Sequence, residues 1–288
     1  MNILITGANG QLATEFRNFF GSSGTYRLTA LSKEELDISD FRAVSDVFGI
    51  NKPSIVINCA AYNLVDRAEE DRETAFRVNS AGVKNLAAAC RKNNAFLVHY
   101  STDYVFDGAK EDYYTETDRT YPLNVYGESK LSGERLLAEE TGNFLLFRVS
   151  WVFGPGNASF FYKLSEWAKD RQTLKIVCDQ VSVPTYTADI VKYTLDALDK
   201  GLRGVYHLTN SGYASRYEVA RYYIERLGLK RKVLPVDSHF FNVTARRPYF
   251  SAMSNEKLSK DLGARIPVWT DAVDRFVKKM LNGRSVPS

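Results

Sequence analysis

The sequence predicts an α/β fold: a doubly wound parallel sheet with a smaller, interleaved C-terminal lobe. Three observations predict it. The chain opens on a short apolar run, Asn2 to Thr6, that meets a glycine loop and then a helical spacing. Four further apolar runs of strand length alternate with helical patterns up to about residue 150. Beyond that point the alternation loosens, which places a soft boundary between 1–150 and 151–288.

Each element can be justified in order. Asn2 to Thr6 is β-type and apolar, as a buried parallel strand should be. Gly7-Ala8-Asn9-Gly10-Gln11-Leu12-Ala13 follows it, and Ala13 to Phe20 has helical spacing. Glycines permit a tight turn and a close backbone approach, and a helix N-terminus favours negative charge. The order strand, glycine loop, helix is therefore the pyrophosphate-binding start of a Rossmann-type dinucleotide domain. Tyr26 to Leu31 reads as the second strand and ends in Ser32-Lys33, without the acid that would bind a ribose 2′-hydroxyl. NADPH is expected, or tolerance of both NADPH and NADH. Asp37 has two readings, a contact to the adenine amino group or part of the cap of a helix over Phe41 to Phe48.

Ile55 to Asn58 is a third strand, and the small residues Cys59-Ala60-Ala61 leave room for a cofactor across the strand ends. Asp66 to Asn93 reads as one long helix with mixed three- and four-residue apolar steps; Asn79 interrupts the stripe as a buried anchor or an exposed residue. Ala95 to Tyr100 is a fourth strand, with His99 inside it reading as a packed or surface residue rather than a catalyst. Ser101-Thr102-Asp103 leaves its carboxyl end, where ligands of open α/β sheets bind. A polar and aromatic loop, Gly108 to Asn124, leads to a helix starting at Tyr126. Phe144 to Val149 is the fifth strand. After Ser150-Trp151 come helices over Ala158 to Lys169, Asp189 to Asp199, Tyr217 to Leu227 and Val268 to Leu281. Strands over Leu174 to Val177 and Val205 to Leu208 lie among them.

The chemistry concentrates between Tyr100 and Lys130. Tyr126 and Lys130 are four residues apart, so a helix puts both on one face. A phenol with its usual pKa of about 10 is a poor acid or base at neutral pH. An ammonium one turn away favours the phenolate and is expected to lower that pKa. The Thr102 hydroxyl is placed to share the proton and bind the reacting oxygen. Y-x-x-x-K alone is more often a solvated helix face; the glycine loop and the position of Thr102 turn it into a site.

Composition excludes other classes. The 288 residues are 44% hydrophobic and 25% charged, ordinary for a globular chain. The net charge of +4 is scattered, with no run of five or six like charges, so nucleic acid is not an expected partner. No run of about 18 apolar residues suits a membrane span. Cys59, Cys90 and Cys178 are odd in number and far apart, which argues for free thiols in a reducing compartment. The opening run is too short for a secretory leader, so the cytoplasm is expected.

Together these motifs resemble the extended short-chain dehydrogenase/reductases, and within them the dTDP-4-dehydrorhamnose reductase family, over Met1 to about Leu281. The parts that carry the likeness are Gly7 to Ala13, Asn58 to Glu69, Tyr100 to Phe106, Pro122 to Glu134, Arg148 to Gly154, Asp179 to Thr185 and Ala245 to Ser251. The resemblance implies reduction of the 4-keto group of dTDP-4-dehydro-L-rhamnose to dTDP-L-rhamnose by NAD(P)H. It implies Tyr126 as proton donor, with Lys130 and Thr102 as its catalytic companions. Gly7, Gly10, Gln11 and Leu12 would form the pyrophosphate loop, and Ser32, Asp37 and Ile38 the adenosine end. Ala60, Ala61, Tyr62 and Tyr100 would line the inner groove, and Lys130 would hold the nicotinamide ribose. Val65, Thr102, Asp103 and Trp151 would touch the sugar, and Arg247 the nucleotide.

Tyr104 stands where related dehydratases carry the Glu that removes a ring proton, which points to net reduction. Ser182 stands where the family prefers glycine, which puts the local turn in doubt. Some relatives bind magnesium through acidic clusters; Glu15 is present without the full set, so no metal is expected. A homodimer through the 66–93 helix and the helix from Gly127 is compatible with the pattern. Two alternatives stay open: a reductase of another nucleotide 4-keto-6-deoxysugar, and a non-catalytic NAD(P)-binding regulatory subunit.

Overall fold

The structure is a computed structural model describing residues 1–21, 26–156 and 159–283. Its first part alternates strand and helix: β1 (Asn2–Thr6), α1 (Gln11–Gly21), β2 (Arg27–Leu31), α2 (Phe41–Asn51) and β3 (Ile55–Asn58). Then come α3 (Val65–Glu70), α4 (Arg72–Phe76), a π-helical turn (Arg77–Ala81) and α5 (Gly82–Lys92). β4 (Phe96–Thr102), α6 (Val125–Glu140) and β5 (Phe144–Val149) complete this part.

The second part holds β6 (Val152–Phe153), α7 (Phe160–Asp170), β7 (Thr173–Val177), β8 (Val181–Ser182), β9 (Thr185–Tyr186) and α8 (Thr187–Asp199). It continues through β10 (Gly204–His207), β11 (Ala214–Ser215), α9 (Arg216–Arg226), β12 (Lys232–Val236), α10 (Glu256–Leu262) and α11 (Trp269–Gly283).

Six strands form one parallel sheet in the order β10-β5-β4-β3-β1-β2. The chain runs from β1 outward to β2 and then crosses to β3, so a topological switch lies between β1 and β3. Period-2 alternation divides the side chains between two cores. Ile3 and Ile5 of β1 face the core with α1 and α8, while Leu4 faces the core with α2 and α5. A third core closes the second lobe, with Phe153, Phe161, Tyr186, Tyr223 and Phe276 in contact. Residues 187–208 return from that lobe to the first layer: α8 packs on α1, and β10 pairs with β5.

The expected single helix from Asp66 to Asn93 is broken. Asp71 leaves helical geometry at φ −118° and ψ 55°, and its carboxylate accepts from the Thr74 amide to start α4. Asn79, in the π turn, is buried. It accepts from the Tyr62 amide at 2.9 Å and donates to the Tyr62 carbonyl at 2.8 Å and to Ser129 Oγ at 3.0 Å. Periodicity alone does not register such a side-chain anchor, although it widens one turn. β12 and α10 were not expected: β12 is mostly exposed and contains Pro235, and α10 spans two turns. The helix expected from Ala158 opens at Phe160, capped by Ser159; residue 158 lies outside the described residues. Among the described residues no helix is long and apolar enough to cross a membrane.

Candidate active site

At the switch between β1 and β3 the chain forms a cleft of about 340 Å³. Gly7, Gly10, Asp37, Ile38, Ala60, Ala61 and Tyr62 line it, as the sequence led one to expect. Gly7 has φ +67°, and a Cβ there would lie 2.7 Å from the Ala60 amide nitrogen. Only glycine lets the two strand ends meet through bare backbone. Beside this cradle α1 begins at Gln11 with no acid in its first turn, so its free amides suit a diphosphate. The cradle therefore fits a dinucleotide. Gln11 and Leu12 lie in that first turn. Gln11 directs its side chain to the Gly154 carbonyl at 2.7 Å, and Leu12 packs into the core.

At the far end of the cleft Lys33 and Glu34 line the wall, whereas Ser32 is buried and its amide bonds Glu35. Lys33 thus offers a cation where a 2′-phosphate would lie. Asp40, not Asp37, caps α2. Asp37 accepts from the Ser39 amide and hydroxyl and pairs with Arg77 at 3.4 Å. Burial works against its charge, but the Ser39 bonds prevail and hold the carboxyl below its usual range. Cys59, among the small residues after β3, and Asn9, in the glycine loop, line the cleft too; Asn63 and Val78 also line it and were missed, since nothing local in the sequence marks them.

The reacting groups stand at the carboxyl end of β4. Asn124 caps α6 by accepting from the Gly127 amide, and Gly127 lies so near the Tyr104 carbonyl that a Cβ would be 2.3 Å from it. This close docking brings Tyr126 to Thr102. The Thr102 hydroxyl acts on the Tyr126 phenol from close by, and the Tyr126 ring meets Tyr104 edge-on at 5.9 Å. Lys130 is buried and donates to the Tyr100 carbonyl at 2.5 Å. Tyr100 therefore contributes its backbone. Its side chain turns into the core, bonded to Thr194 and packed against Phe147.

One electrostatic expectation is corrected. Burial, partly offset by the Thr102 hydrogen bond, raises the Tyr126 pKa above that of a free phenol. Lys130 is not among the groups that shift it. Burial instead lowers Lys130 to about 8, opposed by the charge of Glu134. Tyr126 is thus a protonated acid at neutral pH, the form a ketone reduction consumes.

The expected sugar-contacting residues are distributed differently. Asp103 is 2% exposed, and its oxygens accept from Ser251, Ser182 and Thr102 hydroxyls. It stands behind Thr102 rather than in the cleft. Trp151 is half-buried in the left-handed region at φ +38°, a rare conformation for a bulky residue that clusters at functional sites. One face of its indole carries the Arg216 guanidinium at 4.3 Å. Arg216 went unnoticed in the sequence because nothing near it marks a site.

Val65 opens α3, which packs on α6. Arg247 pairs with Asp66 at 2.6 and 3.0 Å, reaches Tyr104, and borders a second cleft of about 650 Å³ with Gln180, Phe241 and Arg246. Ser182 sits in β8 with no positive φ, so the turn is undisturbed. His99 is buried against Asn58 at 3.0 Å and stays neutral because burial lowers its pKa.

Comparison with known proteins accords with this geometry. The family model described as the RmlD substrate binding domain matches residues 1–282. The dTDP-4-dehydrorhamnose reductase of Burkholderia thailandensis is 38% identical over 300 residues, covering 98% of this chain and 100% of that protein. A crystal structure of a dTDP-4-dehydrorhamnose reductase from Clostridium acetobutylicum superposes with TM-score 0.94 at 34% identity, covering 98% of this chain and 100% of that one. That of the Bacillus anthracis dTDP-4-dehydrorhamnose reductase, in complex with NADP, gives 0.93 at 34% identity, covering 96% and 99%. With a bare-backbone dinucleotide cradle, a buried Lys130 and a Tyr126 acid on one frame, the chain belongs to the dTDP-4-dehydrorhamnose reductase family.

Proposed function

We propose that the protein reduces the 4-keto group of dTDP-4-dehydro-L-rhamnose to dTDP-L-rhamnose with NADPH. The observation that carries the reading is Tyr126, protonated and beside Thr102 and the buried Lys130, at the dinucleotide cradle. The reduced nicotinamide, when bound, supplies the hydride to C4. Tyr126 donates its proton to the developing alkoxide, and Thr102 hydrogen-bonds the reacting oxygen. Lys130, anchored on the Tyr100 carbonyl, would hold the nicotinamide ribose. Gln11 and Leu12 would bind the diphosphate through the backbone amides that open α1, and Gly7 and Gly10, whose amide bonds the Gly7 carbonyl, would let it approach the backbone. Ser32, Asp37 and Ile38, joined by Lys33, take the adenosine end, and Ala60, Ala61 and Tyr62 line the groove between. Val65 and Trp151 pack on the sugar, and Arg247 binds the nucleotide.

Residues 1–150 supply the dinucleotide half and 151–288 mainly the substrate half, with 187–208 rejoining the first. The absence of an acid at Tyr104 speaks against a dehydratase. The free thiols Cys59, Cys90 and Cys178 suit a reducing cytoplasm. A homodimer through α5 and α6 is part of the proposal, tested by light scattering in solution.

The deciding experiment follows nicotinamide absorbance with dTDP-4-keto-6-deoxysugars and with NADPH or NADH. Turnover is expected, and Tyr126→Phe should lower kcat by about 10²- to 10⁴-fold. Cofactor affinity should be unchanged. Near-normal turnover in that variant would sink the assignment; cofactor binding without turnover of any nucleotide sugar would favour a regulatory subunit.

A further inference from the structure

Behind Thr102 lies a group of side chains that the proposed reaction does not use. Three segments remote in sequence each deliver one serine hydroxyl to it: Ser150 after β5, Ser182 in β8, and Ser251. They converge on the carboxyl group of Asp103, where β4 ends. Ser251 Oγ donates to Asp103 Oδ2 at 2.6 Å, and Ser182 Oγ to the same oxygen at 3.0 Å. Ser150 and Ser182 share a hydrogen bond of 2.5 Å, and Ser251 Oγ lies 3.1 Å from Ser182 Oγ. The two main donors, Ser182 and Ser251, are 0% and 2% exposed. Among the described residues no cation bonds this carboxyl group; Arg216 and Arg247 reach Tyr104 instead. A buried carboxylate is normally paired with a cation, so a shell made only of hydroxyls is unusual.

The other oxygen faces the reaction. Thr102 has one hydrogen, and it goes to Asp103 Oδ1 at 3.2 Å. Its oxygen accepts from the Tyr104 amide at 3.2 Å and lies beside the Tyr126 phenol. The bond from Thr102 is the longest of the three that Asp103 accepts, and it is the one beside the reacting group. It is therefore the bond that yields when Thr102 turns its hydrogen toward the reacting oxygen as negative charge develops there. Asp103 keeps its place during that turn because Ser182 and Ser251 hold Oδ2. A hydroxyl rotor governed in this way is preorganised, and preorganised donors are where catalysis gains most.

We propose that Ser182 and Ser251 are positioning residues for the reduction: they fix the Asp103 carboxyl group, and Asp103 sets the direction of the Thr102 hydroxyl beside Tyr126. This rests on the reading of Tyr126 and Thr102 as the reacting pair. The serines touch neither substrate nor cofactor and act through Asp103.

The test is a double-mutant cycle on the full chain, with Ser182→Ala and Ser251→Ala made singly and together, in the natural and the Asp103→Asn backgrounds. In the natural background the double variant should lower kcat about 10- to 100-fold, since small misplacements of reacting groups have effects of this size. Substrate KM and NADPH affinity should stay within about twofold, and in the Asp103→Asn background the serine changes should alter kcat by less than about twofold. Equal losses in both backgrounds, or a change confined to KM or to melting temperature, overturn the proposal. If the double variant does not fold, the single variants complete the same cycle.

A second readout needs no turnover. Infrared difference titration of the buried carboxyl group should show the Asp103 pKa rising in the double variant, because two donors to the charged form are gone. An unchanged titration overturns the positioning role. A wild-type protein that turns over no keto sugar, but shows this shift, overturns the proposed reaction and leaves the network standing.

Discussion

At the level of single residues, the site works by burial more than by charge pairing. Lys130 is the clearest case. Burial lowers its pKa to about 8, so the folded protein favours the neutral amine more than free lysine does. The charged form, which the ribose contact needs, is present below that value and is lost as pH rises through it. NADPH affinity of the free protein should therefore fall as pH increases through about 8. Calorimetric titration across that range checks it; constant affinity up to the ordinary lysine range would contradict the buried-ammonium reading. Tyr126 contributes no limb there, since its pKa is raised rather than lowered.

At the level of elements, α6 carries both Tyr126 and Lys130, and its seat on β5 decides where they point. That seat is an ion pair: Arg148 bonds Glu134 at 2.7, 3.1 and 3.2 Å with both side chains buried. Arg148 also lies over the Phe106 ring at 5.3 Å. Glu134→Ala would leave a buried guanidinium unpaired, which costs about 3–5 kcal/mol. Chemical denaturation should register that loss, whereas Glu134→Leu with Arg148→Met should be close to neutral because no charge remains buried. Glu134 also supports the Lys130 charge. Glu134→Gln should thus move the loss of NADPH affinity to lower pH, a shift that a packing defect alone does not produce.

The same element shows what a local pattern reveals. The Tyr126–Lys130 spacing is displayed by the sequence directly, whereas the Asn124 cap and the close approach at Gly127, within the same seven residues, came from the structure. The π turn within the 66–93 stretch is not displayed there: its Asn79 reaches Tyr62 and Ser129, which are 17 and 50 residues away.

At the level of the whole molecule, the two parts of the chain close on each other near the substrate side. Arg247 grips Asp66, and Asn124 donates to the Arg246 carbonyl at 2.7 Å. Arg247→Ala should raise KM for the nucleotide sugar about tenfold, equivalent to 1.4 kcal/mol. NADPH affinity should be unaltered, because Arg247 does not line the cleft at Gly7. Equal loss of cofactor binding would show that Arg247 supports the fold generally. Bonds from Arg247 and the Ala245 amide outweigh desolvation and hold the Asp66 carboxyl below its usual range. The sign follows: the bridge contributes stability above the ordinary carboxylate pKa of about 4 and loses it as pH falls through the depressed value. Acid unfolding of Asp66→Asn should lose this dependence.

The sequence by itself determined the β–α alternation, the glycine cradle after β1, and Tyr126 and Lys130 on one helix face. Each is a short-range pattern set by backbone sterics and helical repeat, so neighbours in sequence suffice to specify it. Tertiary structure alone decided the direction of the Tyr126 pKa, the withdrawal of Asp103 behind Thr102, and the presence of Arg216 on Trp151. Those outcomes depend on burial and on partners such as Ser182 and Ser251, which are 79 and 148 residues from Asp103. Desolvation and hydrogen bonding act through space, and only the folded chain brings these groups within reach of one another.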